Sequence, residues 1–261
     1  MKLNEGGNIF KDPQTKEPLT QRINRADVDT TLVWLEKITG LPHKDFKLGT
    51  TGRKETSGDL DIAVNQEEVT KEDLVQKLAA WCKANGKDPK VWIKKSGVSV
   101  HFLTPINGNE SNGFVQTDLM FGDPEWMRWG LRGASDEQSP YKGVHRQILM
   151  ASLAKANGYK WSANVGLLDR ETNELVSKNP QEIATKLLGP TAHIEDLDSV
   201  ETIIGKAKSL PNYAELVADA RETFARDNLT LPESRDIERL KQLAGLNLNS
   251  TVMLGNGIRM R

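Results

Sequence analysis

The run GDLDIAV at residues 58–64 constrains this chain more than any other stretch. Its residue types alternate with the period of a β-strand, in which successive side chains point to opposite faces. Leu60, Ile62 and Val64 share one face, and Asp59, Asp61 and Ala63 the other. Alternate strand positions lie about 6.6 Å apart, so two carboxylates project in parallel from a strand whose other face is apolar. Like charges in a desolvated setting cost free energy unless a cation stands between them. Mg²⁺ or Mn²⁺, which take hard oxygen ligands, would meet that need. Two-metal phosphoryl-transfer sites hold their ions about 3.5–4 Å apart, and such a site calls for a third acid on a neighbouring strand. The run FVQTDLMF, starting at Phe114, supplies Asp118, which shares a face with Phe114, Gln116 and Met120. Asp59, Asp61 and Asp118 are therefore the candidate catalytic and metal-binding residues, for two ions. A solvated sheet face or a turn cap also holds acids, and a lone Asp-x-Asp reads that way. Asp118 and the loop before Asp59 tip the reading toward a metal.

That loop, GTTGRKETSG at residues 49–58, lies between two predicted strands. Its glycines let backbone approach a ligand closely, and successive N–H groups in such turns form an anion-binding concavity. Thr50, Thr51, Thr56 and Ser57 add hydroxyls, while Arg53 and Lys54 add positive charge. A guanidinium grips phosphate through two parallel hydrogen bonds. Taken alone, the loop is a polar hairpin turn. Beside the acids it becomes a place for a triphosphate, with Gly49, Thr50, Arg53, Ser57 and Gly58 as candidate nucleotide-binding residues. It lacks the GxxxxGK[ST] spacing of a Walker A loop.

The surrounding pattern is α+β. Residues 1–26 are polar and turn-rich and are expected to lie over the surface as an arm. Val28, Leu32 and Leu35 recur at helical spacing up to a stop at Gly40. FKLGT reads as a short strand. Thr70 caps a helix that ends at Gly86. KVWIKKS, VSVHFLT and FVQTDLMFG read as strands, giving a mixed sheet backed by helices. A linker rich in Gly, Ser, Pro and charge is expected near 123–140. Beyond it come a few short strands between 158 and 177 and helices at 143–157, 180–188, about 197–208, 213–227 and 232–244, then an irregular tail. The single cysteine, Cys82, excludes an internal disulfide, and four scattered histidines do not complete a cysteine-based zinc site. No run approaches the roughly 20 apolar residues of a membrane helix, and no secretory leader is evident. The expected setting is the cytoplasm, that of the host if the chain is viral. With 35 basic and 36 acidic residues, the chain is less basic than a processive nucleic-acid binder.

At the loop and the acids the sequence resembles the DNA polymerase β-like nucleotidyltransferase superfamily, whose pattern is Gly-[Gly/Ser], about ten residues, Asp-x-[Asp/Glu], and a later strand acid. Within it the chain is most similar to family X DNA polymerases, whose palm reads like GSxxRGxxxxGDxD. GTTGRKETSGDLD follows that spacing without a gap, with Lys54 in place of a glycine. ILMASLAKANGYKWSANVGLLDRETNELVSKNPQEIATKLLG resembles that family's thumb, so the likeness spans roughly residues 45–190. It implies a nucleotidyltransferase palm at 27–125 after an N-terminal arm at 1–26, and a mostly helical, thumb-like part at 126–261. It also implies two Mg²⁺ or Mn²⁺ ions, with Asp59 and Asp61 binding both and Asp118 binding the catalytic one. Thr50, Arg53 and Gly58 would contact the triphosphate of an NTP or dNTP.

The chain also departs from that family. Its palm–thumb junction carries a Tyr-Phe-Thr-Gly-Ser motif, and the counterpart here, LRGAS at 131–135, lacks both aromatics. Gln147 and Ala151 stand where the thumb meets base and template. No helix-hairpin-helix glycine motif is evident, and no DNA-binding domain fits before residue 27. The expected activity is transfer of a nucleoside monophosphate to an acceptor hydroxyl with release of pyrophosphate. The acceptor would be DNA or RNA, or else protein. A small gap-filling or end-extending DNA polymerase is the first alternative, and a non-catalytic nucleotide- or nucleic-acid-binding module the second. Parity turns His101 toward the acids, although a satisfied strand histidine is the plainer reading. Trp92, Trp126, Trp129 and Trp161 read as packing residues, and Lys94 and Lys95 as solvated. Arg132 and Lys142 fall in the linker that would face the nucleotide.

Overall fold

In a computed structural model, residues 9–131, 141, 143–226 and 231 are described. The LRGAS stretch beyond Leu131, Arg132, Lys142, the helix expected at 232–244 and the tail lie outside them. The chain enters through β1 (Ile23–Asn24) and α1 (Arg25–Thr39), then β2 (Thr56–Ser57), β3 (Asp59–Asn65) and α2 (Lys71–Ala84). There follow α3 (Pro89–Trp92), β4 (Ile93–Ser96), β5 (Ser99–Pro105), β6 (Phe114–Gly122) and α4 (Pro124–Gly130). Four strands form a mixed sheet in the order β3-β6-β5-β4, with β3 parallel to β6 and the other pairs antiparallel. Strand alternation decides its two faces. Leu60, Ile62, Val64, Val100, Phe102 and Leu119 are buried with Val28, Leu32 and Leu35 of α1 and Leu74, Leu78 and Cys82 of α2. Each such side chain contributes roughly 1.5–3 kcal/mol on burial. The opposite face of β3 and β6 carries the acids.

Beyond Gly122 the structure is mostly helical: α5 (Gly143–Ala156), the strands β7 (Tyr159–Ser162), β8 (Gly166–Asp169) and β9 (Leu175–Ser177), then α6 (Pro180–Leu188), α7 (Val200–Ala207), α8 (Tyr213–Leu216) and α9 (Ala218–Arg226). The three strands make a small antiparallel sheet. A second apolar core joins these elements to Trp126 and Met127, and it includes Leu48 and Ala63 from the first part of the chain. Buried Arg146 fastens the joint. Its guanidinium donates to the Gly130 carbonyl at 3.0 Å and the Leu197 carbonyl at 2.7 Å, and it lies 5.1 Å from the Trp129 ring centroid. Gly130 also lets the Ala163 backbone pack close against α4, because a Cβ there would collide with the Ala163 carbonyl.

Several expected elements differ. KVWIKKS is strand only from Ile93, because Asp88-Pro89 starts α3: the Asp88 carboxylate accepts the Lys90 N–H at 2.9 Å and proline occupies the first turn. The same signal, Asp123-Pro124, turns the start of the expected linker into α4, with Asp123 accepting from Glu125 and Trp126. FKLGT is not a strand. A 3₁₀ turn covers Lys44–Phe46, and one antiparallel bridge joins Lys47 to Ile62 before the chain turns away.

The N-terminal residues are not confined to the surface. Phe10 and Ile23 enter the core behind the sheet, and β1 pairs with β2. Phe10 is 1% exposed, so Phe10→Ala should cost about 3–5 kcal/mol, the usual loss for emptying a buried aromatic site. Urea unfolding of the variant measures this, and a change below about 0.5 kcal/mol, typical of a surface site, would place the segment outside the core.

Candidate metal centre

Pairing of β3 with β6 brings the acids together. Asp61 stands directly opposite Asp118, and Asp59 opposite Gln116. One carboxylate oxygen from each of Asp59, Asp61 and Asp118 lies within 4.8 Å of the others, and all three residues are half-buried. The backbone of Asp61 is held on both sides. Its carbonyl accepts the Leu48 N–H at 2.8 Å, and its N–H donates to Thr51 Oγ1 at 2.9 Å.

The glycine turn runs alongside. Gly49 has a φ of 56°, and a Cβ there would stand 3.5 Å from Asp61 Oδ2 and 3.9 Å from the Leu131 carbonyl oxygen. Any other residue would be strained by that backbone conformation. Thr50 is half-buried and its carbonyl accepts the Arg53 N–H at 3.0 Å. The Arg53 side chain is exposed. Ser57 is buried and its hydroxyl accepts the Gly52 N–H at 3.4 Å, a bond within the loop itself. Gly58 connects β2 to β3. Thr51, named in the sequence only as one of several hydroxyls, is the threonine that bonds an acid.

The electrostatics follow from this crowding. Burial, then the charges of Asp59 and Asp118, pushes the Asp61 carboxyl up to about 8. Burial also raises Asp118, and the hydrogen bonds from His101 and Gln116 oppose that rise. His101 Nδ1 lies 2.7 Å from Asp118 Oδ1, so the histidine does face the acids, while its Nε2 is buried without a partner. Gln116 Nε2 donates to the same oxygen at 2.8 Å. Parity gave Gln116 the correct face, two residues before Asp118, but not its role. Three converging oxygen donors, two of them, Asp61 and Asp118, with ionisation opposed by burial and by the charge of Asp59, suit a hard divalent cation.

The other expectations find their places. Trp92 packs in the core behind the sheet, and Trp126, Trp129 and Trp161 form an indole cluster with ring centroids 5.3–5.9 Å apart. Trp161 donates to Gln147 Oε1 at 2.6 Å, and Gln147 donates in turn to the Gly130 carbonyl. Lys94 and Lys95 are exposed. Ala151 lines an open cavity of about 330 Å³ with Lys155, Lys160, Trp161 and Arg170. No described helix is long and apolar enough to cross a membrane. No family model matches the chain, and no curated protein matches it.

The Asp61 shift has a sign that can be measured. A carboxyl raised in the folded state to about 8 binds its proton more tightly than in the unfolded chain, where the value is 3.8. Its stabilising contribution is complete below about pH 4 and is lost as pH rises through 8. Metal-free wild type should therefore lose stability relative to Asp61→Asn across that window, by an amount on the order of a few kcal/mol. His43, held by burial at about 4, acts in the opposite direction in both proteins and cancels in the difference. Mg²⁺ or Mn²⁺ should raise the unfolding midpoint more at pH 8 than at pH 5.

Proposed function

We propose that the chain is a metal-dependent nucleotidyltransferase that moves a nucleoside monophosphate from an NTP or dNTP to an acceptor hydroxyl and releases pyrophosphate. The observation that carries this reading is the convergence of Asp59, Asp61 and Asp118 beside the glycine turn at Gly49. The sequence pattern that joins this turn to Asp59-Leu60-Asp61 supports it, as does its likeness to the palm of family X DNA polymerases. Mg²⁺ or Mn²⁺ bound by the three acids would lower the pKa of the attacking hydroxyl and offset charge on the triphosphate. The chain's own residues do the rest. Asp59 and Asp61 project from one strand and Asp118 from its neighbour, so the three carboxylates present oxygens to a common space. In the turn at 49–53 the Thr51, Gly52 and Arg53 N–H groups donate within the protein, so phosphate oxygens would be met by the Gly49 and Thr50 N–H groups and the Arg53 guanidinium. The strands and the core packed behind them leave the three acids half-buried, which strengthens charge interactions relative to open solvent.

A nucleic-acid acceptor is favoured over protein by the cavity beside Ala151, which sets the Trp161 indole beside Lys160 and Arg170, with Lys155 paired to Asp219 on the same wall. Cations with an aromatic wall suit a base and its phosphate. The same cavity favours, as a second reading, a small family X-like polymerase.

An incorporation assay tests both. Each labelled NTP and dNTP is offered with Mg²⁺ or Mn²⁺ to gapped DNA, single-stranded DNA, tRNA and the protein itself, beside Asp61→Asn. The expected result is label on a nucleic acid, reduced at least 10²-fold in the variant, as for loss of a transition-state charge contact. Incorporation on gapped DNA that follows the template would establish the polymerase reading. Incorporation equal in the variant would refute the role of the triad.

A further inference from the structure

Two donors converge on one oxygen of one acid. His101 Nδ1 lies 2.7 Å from Asp118 Oδ1, and Gln116 Nε2 donates to that same oxygen at 2.8 Å. Among the described residues no donor meets Asp118 Oδ2. One of the two side chains has its orientation set from outside the acid cluster. The Gln116 amide is fixed at its other end, where Oε1 accepts the Ile9 N–H at 3.2 Å. A backbone N–H can only donate, so the amide nitrogen has to be the end that faces Asp118. An ionised carboxylate can only accept, so the imidazole hydrogen in this contact sits on Nδ1.

The placement across the sheet matters as much. His101 stands opposite Asp118, which in turn stands opposite Asp61. The imidazole therefore flanks Asp118 on the side away from the other strand acids and takes no space between them. Its second nitrogen is buried with no partner. An apolar side chain would fill the position without that penalty, so what the histidine contributes is the bond from Nδ1.

We propose that His101 and Gln116 are positioning residues of the metal centre: together they occupy Oδ1 of Asp118 and reserve Oδ2 for a divalent cation. Ile9 holds Gln116 in place, so the N-terminal segment is part of that support. This inference rests on the reading of the three acids as a metal site. Groups that orient a metal ligand from behind typically change metal affinity 10- to 100-fold when removed.

The test is Mn²⁺ titration of the full-length protein, followed by the electron paramagnetic resonance signal of free Mn²⁺, with circular dichroism to confirm folding. His101→Leu should weaken Mn²⁺ binding roughly 10- to 100-fold. His101→Asn, whose amide nitrogen takes the place of Nδ1, should recover most of the affinity. His101→Gln, whose nitrogen takes the place of Nε2, should not. Wild-type affinity in His101→Leu, or equal behaviour of the Asn and Gln variants, would overturn the positioning role. Should His101→Leu fail to fold, the Asn–Gln comparison decides alone. Failure of the wild type to bind Mn²⁺ would remove the metal reading and this inference together. Weakened binding in Asp118→Asn with unchanged binding in the His101 variants would remove this inference only.

Discussion

Desolvated negative charge is the constraint around which this structure is arranged. Neighbouring strands lie about 4.8 Å apart, and the parallel register of β3 and β6 sets Asp61 directly against Asp118, with Asp59 one alternate position away. Without a cation, Asp61 resists ionisation up to about pH 8. The neighbouring groups act on one or another of these acids. Thr51 and Leu48 hold the Asp61 backbone, His101 and Gln116 hold Asp118, and Gly49 leaves the space beside Asp61 free of a side chain. Of these contacts, those of His101 and Gln116 place donors on a carboxylate, that of Asp118, while Thr51 and Leu48 fix only the Asp61 backbone.

The legible parts of the chain were those in which one face is buried. Residues 59–64 and 114–121 alternate because Leu60, Ile62, Val64, Val115, Leu119 and Phe121 all enter the core behind the sheet. The face of each acid follows from that alternation alone. What periodicity missed was decided by capping. Four-residue α3 and seven-residue α4 are too short to show a helical period, and each begins at an Asp-Pro step whose carboxylate satisfies exposed N–H groups. Asn179-Pro180 starts α6 in the same way, but there Ile183, Ala184, Leu187 and Leu188 also mark a buried face, so periodicity sufficed.

Partners across the sheet were less legible than faces. Parity turned His101 toward the acids, but its meeting with Asp118 depends on the register between β5 and β6, which the connection from Ile106 to Gly113 sets. Gln116 and Ile9 are 107 positions apart, and nothing local announces their bond. Phe10, next to Ile9, and Ile23 are sparse apolar residues in a polar stretch, where no period could identify them as core. The N-terminal segment thus read as an outlying arm, although it supports both the core and the Gln116 amide.

The joint between the sheet and the helical part bears on the same site. Arg146 and Gln147 both donate to the Gly130 carbonyl at the end of α4, and buried Arg146 also reaches Leu197. A guanidinium at a helix C-terminus meets the negative end of the helix dipole as well as an orphan carbonyl. One residue further on, the Leu131 carbonyl comes within 3.9 Å of the point where a Gly49 Cβ would stand, and Asp61 Oδ2 within 3.5 Å of it. Gly49 is therefore where the acid, the turn and the end of α4 meet. The joint that positions the helical part also bounds the space beside Asp61. A shift of α4 relative to the sheet would therefore disturb that turn together with the core that holds Trp126 and Met127.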